Sequence, residues 1–137
     1  MGKDLKVAIC LDDGGGMLFA GRRQSRDRVL IEELSSTSSG KIYITEFSSF
    51  IFRDHASKIT ISDNPFESAP DGATLFIENL NIAPYEELID EIILYKWNSS
   101  YPTDKRIDID LQKYRVLAKK EFKGSSHDKI TKLRLKR

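Results

Sequence analysis

Leu5-Lys6-Val7-Ala8-Ile9-Cys10-Leu11, followed at once by Asp12-Asp13-Gly14-Gly15-Gly16, is the stretch on which the fold turns. Apart from Lys6 the run is apolar, and Asp4 and Asp12 bound it with charge, so it reads as a central strand buried on both faces. The glycines that end it allow backbone angles that other residues resist. They lack the G-x-G-x-x-G and G-K-[ST] spacings of nucleotide loops, and the expectation is a flexible loop over a cleft. Ser25 is placed to cap a helix running from Arg26 to Leu34, in which Val29, Leu30, Glu33 and Leu34 give an amphipathic rhythm.

Outward from there the chain alternates. Lys41 to Thr45 and Lys58 to Ser62 read as strands, with a short helix over Phe47 to His55 between them and a turn at Asn64-Pro65. Ala73 to Ile77 is a further apolar strand, Ala83 to Leu88 a helix with Pro84 in its first turn, and Glu91 to Trp97 a strand. Two late strands, Tyr114 to Phe122 and Asp128 to Lys136, pair as a hairpin; in the second, Thr131, Leu133 and Leu135 share one face and Lys132, Arg134 and Lys136 the other. Ser35 to Gly40 is a loop. The order predicts an α/β fold: one mixed sheet, mostly parallel with an antiparallel C-terminal hairpin, flanked by short helices, with residues 1–137 as a single domain.

Composition narrows the function. Lys plus Arg is 22 and Asp plus Glu 21, a net charge of +1 that argues against a surface built wholly for nucleic acid or anionic membrane. One cysteine, Cys10, excludes an internal disulfide or a cysteine metal cluster, and two histidines, His55 and His127, leave no His-rich metal centre. No apolar run reaches membrane-spanning length, and Met1-Gly2-Lys3-Asp4 leads straight into a strand instead of a signal sequence, so the expected location is cytoplasmic.

The order of elements and several residue strings resemble the dihydrofolate reductase fold family. Ile92-Ile93-Leu94-Tyr95-Lys96-Trp97-Asn98, then Asp108-Ile109-Asp110, Tyr114-Arg115-Val116-Leu117, Glu121-Phe122-Lys123-Gly124 and Ser126-His127-Asp128, fall in that family's order and spacing. At the other end, a first strand runs into Asp13-Gly14-Gly15-Gly16-Met17, then Gly21, then a helix holding Asp27. The resemblance implies a glycine-containing mobile loop there, and an acid, Asp27, at the position that contacts a pterin ring. Ala83 to Leu88 resembles the short helix carrying the family's tyrosine.

The departures matter as much. Where the family reads cofactor phosphates with a Gly-Arg-x-Thr string, this chain has Thr45-Glu46-Phe47-Ser48; an acid in place of an arginine repels phosphate and loses its donor fork. The family's diglycine is Glu78-Asn79, the turn after the third strand is Ser62-Asp63, and Ser68-Ala69-Pro70-Asp71-Gly72 replaces a helix and strand beside the adenosine. The first-loop tryptophan is missing, with Gln24 nearby, and the threonine expected to partner the acid is Tyr95. The resemblance therefore implies the fold with a degraded NADPH site.

The expected function is binding, or acting on, a small heterocyclic or anionic ligand in the cleft between the glycine loop and the Asp27 helix. Asp27 is the candidate proton-transfer group, with a carboxyl raised by an apolar cleft; its alternative is an acid favoured by the helix dipole. Arg22, Arg23 and Arg26 (with Arg28 beside them) are candidate anion contacts or a solvated surface, Gly15 and Gly16 candidate loop contacts, and Tyr95 a candidate ring contact or core residue. No metal is expected, and enzymatic activity is left open. Two alternatives remain: a nicotinamide-dependent reductase with a rebuilt cofactor site, and an RNA-binding or ribonuclease-like protein using the arginine cluster. Ser126-His127-Asp128 is not a triad, because consecutive residues in a turn cannot converge, so His127 reads as a turn residue. Cys10 reads as packing, and Lys129 to Arg137 as a solvated strand edge.

Overall fold

The computed structural model describes residues 3–137; the Met1-Gly2 start of the leader reading lies outside them. The first strand forms as expected, β1 (Leu5–Leu11), and its apolar residues divide by period two. Leu5, Val7, Ile9 and Leu11 enter one hydrophobic cluster and Ala8 the other, so β1 is covered on both faces.

Around it lie β2 (Gly16–Phe19), β3 (Arg22–Arg23), α1 (Arg28–Thr37), β4 (Ile42–Ile44), 3₁₀ turns over Glu46–Lys58 broken at His55, and β5 (Ile59–Ile61). There follow α2 (Pro65–Ser68), β6 (Thr74–Phe76), a 3₁₀ helix Ala83–Leu88, β7 (Ile89–Lys96), β8 (Lys105–Arg106), a 3₁₀ turn Leu111–Lys113, β9 (Arg115–Phe122) and β10 (Ile130–Lys136). The main sheet has seven strands in the order β5-β4-β6-β1-β7-β10-β9. The pairs β1–β6, β1–β7, β4–β5 and β4–β6 are parallel, while β10 is antiparallel to both β7 and β9. This is the mixed sheet with an antiparallel C-terminal hairpin that the sequence predicts.

Helix α1 lays Leu30, Ile31 and Leu34 against Ala8, Phe76, Ile93, Tyr95 and Trp97, with Phe52 of the 3₁₀ segment edge-on to Phe76 at 5.3 Å. Each such buried aliphatic contributes roughly 1.5–3 kcal/mol. Tyr95 and Trp97 therefore share a core face, as their alternation requires.

Three local readings are corrected. Ser25 does not cap the helix: Asp27, in extended backbone, accepts from the N–H groups of Val29 and Leu30, and α1 starts two residues later than expected. Asn64-Pro65 does not simply end a strand, since Asn64 caps α2 with Pro65 in its first turn. The Lys129–Arg137 segment is not a solvated edge, because β10 lies between β7 and β9 and its cations are paired: Lys132 with Glu33 (2.8 Å), Arg134 with Glu91 (2.9 Å) and Lys136 with Asp90 (2.6 Å). The exposed edge is β9. The sequence reading also missed a second sheet, β3-β2-β8, built from strands of two to four residues.

Candidate functional site

At the C-terminal end of β1 stands an acid, Asp12, that organises the loop after it. Asp12 turns its carboxylate back over the glycines: Oδ1 accepts from the N–H groups of Gly14 (3.0 Å) and Gly16 (2.7 Å), and Oδ2 from that of Tyr101 (3.0 Å) and from the Thr103 hydroxyl (3.2 Å). Burial alone would raise this carboxyl; the peptide donors of Tyr101, Gly16 and Gly14 outweigh burial and hold it below its ordinary value. Gly15 has φ +76°, and a Cβ on Gly16 would collide with Thr103 and Gln24. The expected flexible loop is instead a turn tied down by Asp12 and leading into β2, and its glycines serve close approach of backbone and side chains.

Arg23 leaves β3 to make a bidentate pair with Glu78, Nε to Oε2 at 3.0 Å and Nη2 to Oε1 at 2.9 Å, and donates to the Phe47 carbonyl at 2.9 Å. Ser48 donates to the same Glu78 carboxylate at 2.7 Å. The arginines do not converge: Arg23 is spent on Glu78, Arg28 pairs with Glu32 at 3.1 Å, Arg22 is exposed, and Arg26 lies over the Phe50 ring at 5.7 Å. Tyr95 is fully buried, its hydroxyl donating to Glu33, and it lines neither cavity described below.

Asp27 is the centre of a clamp. Its side chain is 0% exposed. Oδ1 accepts from the N–H groups of Val29 (3.0 Å), Leu30 (3.2 Å) and Ser125 (2.9 Å), and Oδ2 from that of Ser126 (2.9 Å) and from Nδ1 of His127 (3.0 Å). One carboxylate thus caps α1 and holds the turn before β10 onto it. Burial favours the neutral acid, yet the Ser126 N–H, the His127 imidazole and the Ser125 and Leu30 N–H groups outweigh burial and hold the carboxyl well below the usual range. The expected raised carboxyl is therefore corrected: an ionised Asp27 has no proton to give at neutral pH.

An ionised carboxylate only accepts, so Nδ1 of His127 carries a proton. The far nitrogen, Nε2, faces two hydroxyls, Ser25 Oγ at 2.9 Å and Tyr101 at 3.1 Å, and Trp97 stacks on the ring at 4.5 Å between centroids. His127 is thus no simple turn residue; its partners Ser25 and Asp27 lie across the fold. Ser126-His127-Asp128 does not form a triad, as expected.

Beside this array, between α1 and the Glu46–Lys58 turns, opens a pocket of about 250 Å³ lined by Arg26, Asp27, Arg28, Ile31, Ile51, Arg53, Asp54, His55, Ser125 and Ser126. Arg53 lies over the Phe50 ring at 4.2 Å, which Arg26 also approaches, and Phe50 is 54% exposed. Sequence reasoning missed Arg53 and His55, whose only signal was their basic character around Ile51 in the 3₁₀ segment. A recess of about 10 Å³ lies deeper, lined by Cys10, Ser25, Trp97 and Glu78 among others. Burial pushes the Cys10 thiol up, so it is not a thiolate. Among the described residues no group of three His, Cys, Asp or Glu side chains is placed to hold a metal ion, and no helix is long and apolar enough to cross a membrane.

No protein-family model matches the chain, and no curated protein matches it. Among solved structures, dihydrofolate reductase from Enterococcus faecalis, complexed with NADP(H) and RAB-propyl, aligns with a TM-score of 0.68 at 10% identity, covering 98% of this chain and 96% of that one. Likeness at this identity speaks for the fold: the chain has a dihydrofolate reductase-like α/β fold, as its sequence resemblance implies.

Proposed function

We propose that the protein binds a small organic anion with a flat or apolar body, in the pocket between α1 and the Glu46–Lys58 turns. The observation that carries this is the pocket's lining. Ile31 and Ile51 offer apolar wall, and Arg26, Arg28 and Arg53 bring positive charge, with Arg26 and Arg53 both lying against the Phe50 ring. Among the described residues neither Arg26 nor Arg53 has a carboxylate within ion-pair distance; Arg53 Nη1 donates to the Phe50 carbonyl at 3.0 Å, and the other guanidinium N–H groups are available to a carboxylate or phosphate. Asp54 on the wall is outnumbered, and the Asp27 carboxylate is turned into its clamp.

The enterococcal enzyme carries NADP(H), and the residues here do not fit that group. Glu78, where the resemblance places a diglycine, is a buried carboxylate held by Arg23 and Ser48, and the Thr45 hydroxyl is spent on Asn79 at 3.0 Å. Glu46 adds a negative charge where a phosphate would need a cation.

The test is a thermal-shift panel of aromatic carboxylates, aryl phosphates, pterins and NADPH. A ligand at about 100 times its dissociation constant stabilises by roughly 2.7 kcal/mol, about 10 °C at this size. Aromatic anions are expected to shift the transition, and the R26Q/R53Q variant to lose that shift while melting as wild type without ligand. A shift with NADPH, or one that survives R26Q/R53Q, overturns the reading.

A further inference from the structure

We infer that Ser25, His127 and Asp27 form a nucleophilic triad able to cleave small carboxylic esters, with Ser25 Oγ the attacking atom. The array joins two distant parts of the chain: Ser25 and Asp27 from the segment that enters and caps α1, and His127 from the turn before β10. Oγ of Ser25 lies 2.9 Å from Nε2 of His127, and Nδ1 of the same ring lies 3.0 Å from Oδ2 of Asp27. These are the nucleophile–base and base–orienter contacts that a serine nucleophile requires.

Three further features separate this array from an ordinary buried hydrogen-bond chain. First, the Asp27 carboxylate is fixed by four peptide N–H groups, so the imidazole is held in the tautomer that leaves Nε2 as acceptor. Second, the Trp97 stack fixes the ring plane. Third, the Ser25 hydroxyl has no other side-chain partner among the described residues and lines a recess. That recess shares Arg26, Asp27, Ile31 and Ile51 with the larger pocket, so acyl and alcohol parts of one ester have adjoining spaces. Its volume, about 10 Å³, is that of a single water, so of an acyl chain only a methyl, as in acetyl, enters it.

The chemistry balances with water as the only co-reactant. Oγ of Ser25 adds to the ester carbonyl carbon as its proton passes to Nε2 of His127. The carbon–alkoxide bond then breaks and the leaving alkoxide takes that proton. Water next adds to the acyl carbon, giving its proton to Nε2; the Ser25 Oγ–carbon bond breaks, and Oγ recovers the proton as the acid departs. Arg26, the cation on the recess wall, is the group available to the oxyanion. The Tyr101 hydroxyl competes with Ser25 for the single lone pair of Nε2, and so restrains the base.

The experiment is to label the purified protein with an uncharged alkyl fluorophosphonate, whose phosphorus takes Oγ and releases fluoride, and to locate the adduct by mass spectrometry. One adduct on Ser25 is expected, absent in S25A, at least 20-fold slower in H127N, and as fast or faster in Y101F. Circular dichroism establishes that each variant is folded; if H127N is not, the S25A and Y101F arms decide alone. Hydrolysis of 4-nitrophenyl acetate with a burst of one equivalent, lost in S25A, is the second readout. No adduct, an adduct on Ser125 or Ser126, or Ser25 labelling at wild-type rate in folded H127N overturns the inference. It stands apart from the anion reading, since S25A, which loses the label, is expected to keep the thermal shift with aromatic anions, Ser25 lying outside the lining of the larger pocket.

Discussion

Replacing Asp27 tests the clamp most directly, and the structure sets the size of the effect. In D27A the α1 cap is lost, worth about 1 kcal/mol. The N–H groups of Ser125 and Ser126 are left without acceptors in a largely enclosed site, at about 1–3 kcal/mol each. Partial relaxation and water entry favour the lower figures, so the expected loss is about 4 kcal/mol, a fall in Tm of about 12–20 °C at this chain length. D27N is the more informative partner. Its carbonyl oxygen can still cap Val29 and Leu30, but its NH2 meets the Ser126 N–H and the His127 Nδ1–H as donor against donor, and the expected loss is about half as large. The pH dependence has a definite sign. The folded-state carboxyl of Asp27 is held below its unfolded value of about 3.9, so its stabilisation is complete above that pH and drains away as pH falls below it. Urea titrations followed by Trp97 fluorescence at pH 7, 5 and 3 should show the gap between wild type and D27N constant at the two higher values and narrowed at pH 3. A D27A protein within 1 kcal/mol of wild type at pH 7, or a gap that widens in acid, refutes the reasoning.

Further expectations follow from neighbouring contacts. A Cβ on Gly124 would run into the Asp27 carboxylate and Ile130, so G124A should cost about 1–3 kcal/mol, with a much smaller cost in a D27A background because the two act on one contact; a double-mutant cycle in urea measures this. Removing one member of the Arg23–Glu78 pair, as in R23M, should cost about 3 kcal/mol by leaving a buried carboxylate, and R23M/E78M should recover most of it; thermal melts decide. D12A should free the Gly14 and Gly16 amides, raising their hydrogen-exchange rates at least tenfold while those of β7 stay protected.

Most of the architecture legible in sequence buries a periodic apolar face, the exposed edge strand β9 being the exception. Seven main-sheet strands announce themselves by runs or alternation, Leu5 to Leu11 and Glu91 to Trp97 most plainly, because burial on two faces leaves little room for polar residues. β3 and β8 hold only Arg22-Arg23 and Lys105-Arg106, with no apolar pattern to read; β3 pairs with β2 across the turn at Ala20-Gly21, and β8 reaches β2 from nearly ninety residues away. The helix start was ambiguous for a related reason. Ser25 and Asp27 both make good caps, and what selects Asp27 is the turn at Ser125 and Ser126 that shares its carboxylate. The same separation hid the His127 array: its nearest serine and aspartate in sequence are Ser126 and Asp128, whereas its partners across the fold are Ser25 and Asp27. Charge was legible as composition but not as pairing. Glu78 reads as a hostile acid in the string and as half of a buried ion pair in the fold, and the alternating cations of β10 each find a carboxylate.

The clamp has a consequence for how the chain is made. A protein emerges from the ribosome N-terminus first, and α1, β1 and the parallel strands beside β1 can begin to assemble while the last hairpin is still unsynthesised. Until Ser125, Ser126 and His127 appear, the Asp27 carboxylate has only its own helix to hold, and the α1 face of the sheet lacks the strand that carries Ile130. The segment from Ser125 to Lys136 is therefore needed before the clamp can close. A chain interrupted shortly before it keeps most of its apolar surface but loses the acceptor–donor match at Asp27 and the central pairing of β10. Chains ending near residue 120 should accordingly be far more open to protease than those that include β10.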